Sequence, residues 1–387
     1  MTYCSYEKIV SNTADHARIR RLLSHAFSTA ALQEQETLLA RYFTLLIRKL
    51  EECINGPTQG VVDLTKWYNF TTFDIVGDLC LGEPFGTLTN GEYHAWISNI
   101  FKGLKFVVLI RFAQAYSLVD IFLKLLFAMV PEIAEAQRSH VNFTAERTRK
   151  RLAADTQRKD FITYILRYNN EKGMSREEIE GTCAVLLMAG SETTASFLCG
   201  ATYYILSLPL VYERLREELQ SRFKAEKDIT LISLHALPYL DRVIKESLRV
   251  YPPTPSTIPR RTRLEGDIIT GYFVPGDTSV GVHHWSASHS SRNFTDPEVF
   301  DPDRWLDPPP EKYRHDRRDA SQPFSTGPRN CLGKNLAYFQ MRSILARMLF
   351  SFDMQLCKES QNWATDQKTY ILWDKPPLLV KLSHRNT

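Results

Sequence analysis

Phe324-Ser-Thr-Gly327-Pro-Arg329-Asn-Cys331-Leu-Gly333 sets one cysteine in a loop between two glycines, with an arginine two residues upstream. A helix-forming run, Lys334 to Arg342, follows directly. That arrangement prepares a thiolate as a metal ligand. Gly327 and Gly333 allow positive φ and a close approach of the backbone to a flat cofactor. Amides at the start of the following helix favour negative charge and so lower a thiol pKa. Arg329 adds a fixed cation suited to a carboxylate. Zinc is a poor rival, because Cys331 has no C-x-x-C partner and no nearby histidine at ligand spacing.

At an average usage of about one in twenty per residue type, five specified positions coincide in a chain this long roughly once in ten thousand sequences. The stretch resembles the haem-ligand loop of the cytochrome P450 superfamily, the haem-thiolate monooxygenases. The resemblance implies haem b as cofactor. It makes Cys331 the axial ligand, whose sulfur pushes electron density towards O–O cleavage. Phe324, Gly327, Arg329 and Gly333 become the loop residues around the cofactor.

A chain of 387 residues with 43% hydrophobic content buries a large core. A net charge of +4 is too mild to argue for nucleic acid. Seven scattered cysteines, an odd number without a framework, favour a reducing compartment. The polar N-terminus, Met1-Thr-Tyr-Cys-Ser-Tyr-Glu-Lys8, shows neither signal peptide nor anchor. The most apolar region, Phe101 to Pro131, is interrupted by Lys102, Lys105, Arg111, Asp120 and Lys124. It reads as a buried or surface-associated helical pair and not as a membrane span.

From residue 15 to about 250 the apolar spacing of three and four predicts helices almost throughout. After Pro252 the texture changes. Asp267-Ile-Ile-Thr-Gly-Tyr-Phe-Val274 and Thr278-Ser-Val-Gly-Val-His283, separated by Pro275-Gly-Asp277, read as short strands and a hairpin. A Pro- and Asp-rich irregular stretch, the cysteine loop, a helix to about Phe350 and a last β-like piece complete residues 251–387. The fold class is therefore mainly α with a small β portion, in one catalytic domain over residues 1–387.

A second signal sits in a long helix opened by the capping-box pattern Ser175-Arg-Glu-Glu178. In its middle, Ala189-Gly-Ser-Glu192-Thr193-Thr194 combines a glycine with two threonines. A threonine hydroxyl can take over a backbone carbonyl there, so the segment is expected to kink and open a groove able to hold dioxygen. The segment resembles the distal oxygen-binding helix of the same superfamily, where an acid and an alcohol relay protons. The resemblance puts the acid on Glu192, one methylene longer than the aspartate of many members, and the alcohol on Thr193.

Glu246 and Arg249 share a helix face just before Pro252-Pro253. They match the superfamily's E-x-x-R motif, with Arg304 of Phe300-Asp-Pro-Asp-Arg-Trp305 as third member. The resemblance implies a buried structural triad that holds the cysteine loop and retains haem. It also implies cations for the haem propionates: Arg329, then His16 and Arg20 four apart on one helix face, and Arg261, with the adjacent Arg260 leaving that register open.

The resemblance runs from about residue 6 to about residue 382 and is greatest to filamentous-fungal members of secondary metabolism, as in His16 to Ser28 and Phe73 to Gly86. It implies a cytochrome P450 fold lacking its N-terminal anchor, first helices and first sheet strands. The implied activity is insertion of one atom of O2 into an apolar, polyketide- or terpenoid-like substrate. An NADPH-dependent cytochrome P450 reductase is the implied electron donor, since no Gly-rich dinucleotide fingerprint follows a strand. Arg18, Arg21 and Lys334 would form a basic face for that acidic partner. The implied location is the cytosolic face of the endoplasmic reticulum, with peripheral membrane association. A haem-thiolate isomerase or dehydratase, and an inactive truncated remnant, are the alternatives.

Overall fold

The capping box forms as the sequence predicts: Ser175 Oγ accepts from Glu178 N at 3.2 Å, and Ser175 N donates to Glu178 Oε2 at 2.9 Å. It starts the longest helix, Arg176–Ser207, in a computed structural model that describes residues 13–94, 96–97, 116, 118–119, 131–154, 158–170 and 173–385. In chain order the helices are α1 (Thr13–Ala26), α2 (Thr29–Ile54), α3 (Leu64–Leu81), α4 (Thr87–Asn90), α5 (Pro131–Ala153) and α6 (Phe161–Tyr168). They continue with α7 (Arg176–Ser207), α8 (Pro209–Arg222), α9 (Leu231–Leu234), α10 (Pro238–Val250), α11 (His284–Ser288) and α12 (Lys334–Ser351).

Most of α3 and α7 is buried. A helix apolar on every side belongs in a core, and the two pack along each other, joined by Tyr68 and Thr202 hydroxyls 2.8 Å apart. Each fully buried Phe, Ile or Leu there contributes about 1.5–3 kcal/mol. Among the described residues α7 is the one helix long and apolar enough to cross a bilayer, but 67% of its most apolar window is buried by protein. Phe101 to Pro131 lies almost wholly outside the described residues.

The β portion is small, as expected. Its strands are β1 (Val61–Asp63), β2 (Arg260–Arg261), β3 (Asp267–Ile269), β4 (Tyr272–Val274), β5 (Ser279–Val280), β6 (Phe352–Leu356), β7 (Lys368–Thr369), β8 (Trp373–Asp374) and β9 (Leu379–His384). An antiparallel sheet β1-β9-β6 registers Val62 with Val380 and Met354 with Leu382. The hairpin differs from the expected one. It closes between β3 and β4 at Thr270-Gly271, both at positive φ (51° and 87°), while β5, which follows the Pro275-Gly-Asp277 turn, pairs with β2 and not with β4. Two consecutive left-handed residues make the tight two-residue loop that matches strand twist, which Thr-Gly satisfies at the second position.

The helix α7 runs on through Gly190, where the sequence predicts a kink. The Thr193 hydroxyl does bond back to Ala189 O, at 2.6 Å, without opening the turn. Further along, Gly200 lets α7 touch the end of α10: a Cβ there would lie 2.2 Å from Tyr251 Cδ1. Tyr251 has no room to move, since its hydroxyl donates to Gln367 Oε1 at 2.6 Å and its ring stacks on Trp373 at 4.8 Å. Gly200→Ala is therefore expected to lower the melting temperature: overpacking costs about 1–3 kcal/mol, more than the roughly 1 kcal/mol that alanine's helix propensity returns. A variant melting above the wild type would contradict that packing.

Candidate functional site

The cysteine loop is closed by its own backbone, with Cys331 N donating to Phe324 O at 2.8 Å and Asn330 N to Gly327 O at 3.0 Å. Gly327 has the positive φ expected, 77°, and no atom lies within 4 Å of where its Cβ would be. Gly333 does not share that conformation. It takes an ordinary φ of −81° as the residue before α12, and a Cβ there would make only ordinary contact with the Phe27 ring, at 3.8 Å. Phe324 packs at 5.2 Å on Tyr338 of α12, fixing the front of the loop to the helix behind it.

Cys331 is an exposed residue, although protein crowds around its thiol. The sequence led us to expect a lowered thiol pKa; burial instead pushes it up, while the Gly333 N–H and the charges of Arg20 and Lys334 pull the other way. A coordinating metal cation would reverse that balance by deprotonating the thiol outright.

Cations gather beside the loop. Arg20 Nη1 donates to Asn330 O at 2.7 Å, and Nη2 donates to Asn330 Oδ1. His16 is lowered by burial and by the charges of Arg329 and Arg20, which places all three in one neighbourhood. Arg261 is elsewhere: it pairs with Asp277 at 2.7 Å, both side chains 66% exposed. Its neighbour Arg260 reaches the loop, with Nη2 donating to Ser325 Oγ at 3.4 Å. Successive strand residues face opposite ways, so only one of the two could. Arg18 is likewise engaged, by Glu178 at 2.6 Å and Asp15 at 2.9 Å. It ties α1 to the start of α7, leaving Arg21 and Lys334 as the exposed members of the expected basic face.

In the middle of α7 the positions that are not buried are Val185, Leu186, Met188, Ala189, Gly190 and Thr193; Val185, Ala189 and Thr193, spaced by four, form a stripe on that face, with Ala189 exposed. Thr193 is on it. Glu192 is not: its side chain is buried and pairs with Lys375, a residue the sequence reading did not single out.

Glu246, Arg249 and Arg304 come together with zero exposure. Arg249 donates to both oxygens of Glu246 at 2.9 and 2.7 Å, and Arg304 Nε to Oε1 at 3.4 Å. Trp305 Nε1 and Asp301 N complete the carboxylate's shell at 2.8 and 3.0 Å. The remaining guanidinium donors go to carbonyls of the irregular stretch, among them Pro297 O, Val299 O and Thr295 O, and to Asp316. The triad thus pins the chain segment that leads into the cysteine loop.

Residues 1–382 match the family described as cytochrome P450. The chain belongs to that family. It is 45% identical over 373 residues to the cytochrome P450 monooxygenase astA of Talaromyces wortmannii, covering 96% of this chain and 74% of the relative. To the cytochrome P450 monooxygenase astJ of Aspergillus oryzae it is 44% identical over 384 residues, 99% and 76% of the two chains. It is 43% identical over 385 residues to the trichothecene C-4 hydroxylase of Trichoderma arundinaceum, 97% and 76% of the two chains.

As a cytochrome P450 the protein is an oxidoreductase, and the family implies haem iron with a cysteine thiolate ligand, a small organic substrate, O2 and a reductase partner. The residues present fit that cofactor. An exposed cysteine, open space before Gly327, a cluster of cations for carboxylates and an accessible face on a core helix are the features a buried planar dianion needs.

Proposed function

We propose that this P450 holds haem through Cys331 and inserts one atom of O2 into an apolar small molecule, by hydroxylation or epoxidation, or desaturates it, in fungal secondary metabolism. The observation that carries the reading is the exposed Cys331 in a loop braced by its own hydrogen bonds, Cys331 N to Phe324 O and Asn330 N to Gly327 O. The cofactor supplies the oxidising chemistry when bound. His16, Arg20, Arg260 and Arg329 hold its carboxylates, the first pair from α1 and the others from β2 and the loop. Thr193 presents its hydroxyl on the accessible face of α7, and Glu192 is the acid that renews its proton.

Two electrons from NADPH reach the protein through a flavoprotein reductase docked on the side carrying Arg21 and Lys334. The protein works at the cytosolic face of the endoplasmic reticulum. Exposed Ile268, Tyr272 and Phe273 of the β3–β4 hairpin support contact with its surface. An isomerase or dehydratase would need neither proton relay residue, so Thr193 on the open stripe speaks for the oxygenase. The test is a panel of polyketide- and terpene-type compounds with purified protein, reductase and NADPH. One NADPH and one O2 consumed per product formed is the expected result; product formed without either would overturn it.

A further inference from the structure

Lys375 and Glu192 meet inside the protein although 183 residues separate them, each side chain 4% exposed. Lys375 Nζ donates to Glu192 Oε1 and, at 2.8 Å, to Ser196 Oγ. Ser196 Oγ donates to the same carboxylate oxygen at 3.3 Å. The second oxygen, Glu192 Oε2, is buried and has no hydrogen-bond partner among the described residues. The other titratable side chains that sense Glu192 are Tyr93, Cys199 and Tyr251. Burial pushes all three upward, so they stay neutral and Lys375 is the cation that faces the carboxylate.

The lysine is held in place from several sides. Trp363 Nε1 and Thr65 Oγ1 both donate to Pro376 O, at 2.9 and 3.1 Å. Trp373 Nε1 donates to Pro252 O at 2.8 Å, and Leu378 N to Asp63 Oδ1 at 3.2 Å. Pro376 and Pro377 fix their own φ directly after it. Stability alone does not account for such a device, because a buried ion pair is no more stabilising than an apolar pair of similar volume.

We propose that Lys375 is a positioning residue for the proton-delivery carboxylate: it fixes Glu192 through Oε1 and reserves Oε2 for the water that proton transfer requires. This rests on Glu192 being the acid of the relay. Oε2 of the carboxylate takes a proton from a water on one side and gives it up to the next acceptor, so the group returns to its ionised starting state and Lys375 exchanges none. The orphaned Oε2 is the atom that marks the direction of transfer, since a buried acceptor without a partner calls for a water or a reacting group.

The test uses haem-loaded protein with reductase and NADPH, reading how consumed O2 divides between hydrogen peroxide and water. Lys375→Met and Glu192→Gln should each reduce the water share about tenfold, in the range known for residues that orient a reacting group. The Lys375→Met/Glu192→Gln double variant should be no worse than either single one, and Lys375→Arg should restore most of the loss. The double variant removes both charges and so folds even if Lys375→Met alone does not. A structural readout accompanies it: Lys375→Met should show an infrared carboxylic-acid band that the double variant lacks, because a buried carboxylate without its cation takes up a proton. A wild-type division of O2 in Lys375→Met, with Glu192→Gln impaired, would overturn the role of Lys375 alone. A wild-type division in Glu192→Gln would overturn the reading of Glu192 itself.

Discussion

A Glu246→Gln protein is expected to lose about 3–5 kcal/mol of stability and to be recovered mostly as aggregate or haem-free chain. Glu246 is the acceptor for two donors of Arg249, one of Arg304, the Trp305 indole and the Asp301 amide. An amide in its place turns an NH2 group towards those donors and leaves two buried guanidinium groups with Asp316 as their one counter-charge among the described residues. Total stabilities of about 5–15 kcal/mol leave little margin for such a loss. The exposed Arg261–Asp277 pair is the control: Arg261→Ala should leave the melting temperature where it was, because solvent screens a pair exposed on both sides. Thermal melts of the soluble fraction check both. Equal melting of Glu246→Gln and wild type would mean that the triad does not secure the segment leading into the cysteine loop.

Replacing Thr193 by valine is expected to reduce product formed per NADPH by about a hundredfold, the lower end of what positioned proton transfer contributes. Valine keeps the branched shape and removes the hydroxyl. In the structure that hydroxyl donates to Ala189 O, which leaves its lone pairs on the accessible side of α7 to receive a proton or a water. The hydroxyl proton can then be passed on as another arrives. Thr193→Ser keeps the group and should retain most of the activity. Electrons that fail to reach product should appear as hydrogen peroxide, measured alongside NADPH oxidation. Undiminished product from Thr193→Val would remove this hydroxyl from the reaction.

Local signals were legible in the sequence and distant pairings were not. The Ser175–Glu178 capping box, the E-x-x-R pair of α10 and the cysteine loop each lie within ten residues of chain, so spacing alone brings their members together. Arg304 required the superfamily resemblance, since 58 residues part it from Glu246. Arg18 looked like a free surface charge because its partner Glu178 is 160 residues away. The choice between Arg260 and Arg261 depended on which face of β2 meets the loop, which two adjacent arginines do not reveal. Thr193 and Glu192 stood side by side on paper, but neighbours on a helix point about 100° apart, and only one reaches the open stripe. Lys375, in Trp373-Asp-Lys-Pro-Pro377, carries no periodic or motif signal for a contact 183 residues back.

One bond decides the function proposed for this protein, that of the Cys331 sulfur to haem iron. The most direct measurement is the reduced carbon monoxide difference spectrum of the purified wild type beside Cys331→Ser. A thiolate-type Soret band in the wild type that is lost in Cys331→Ser is the predicted result. The same band in both proteins would contradict the assignment of Cys331 and with it the arrangement built around that loop.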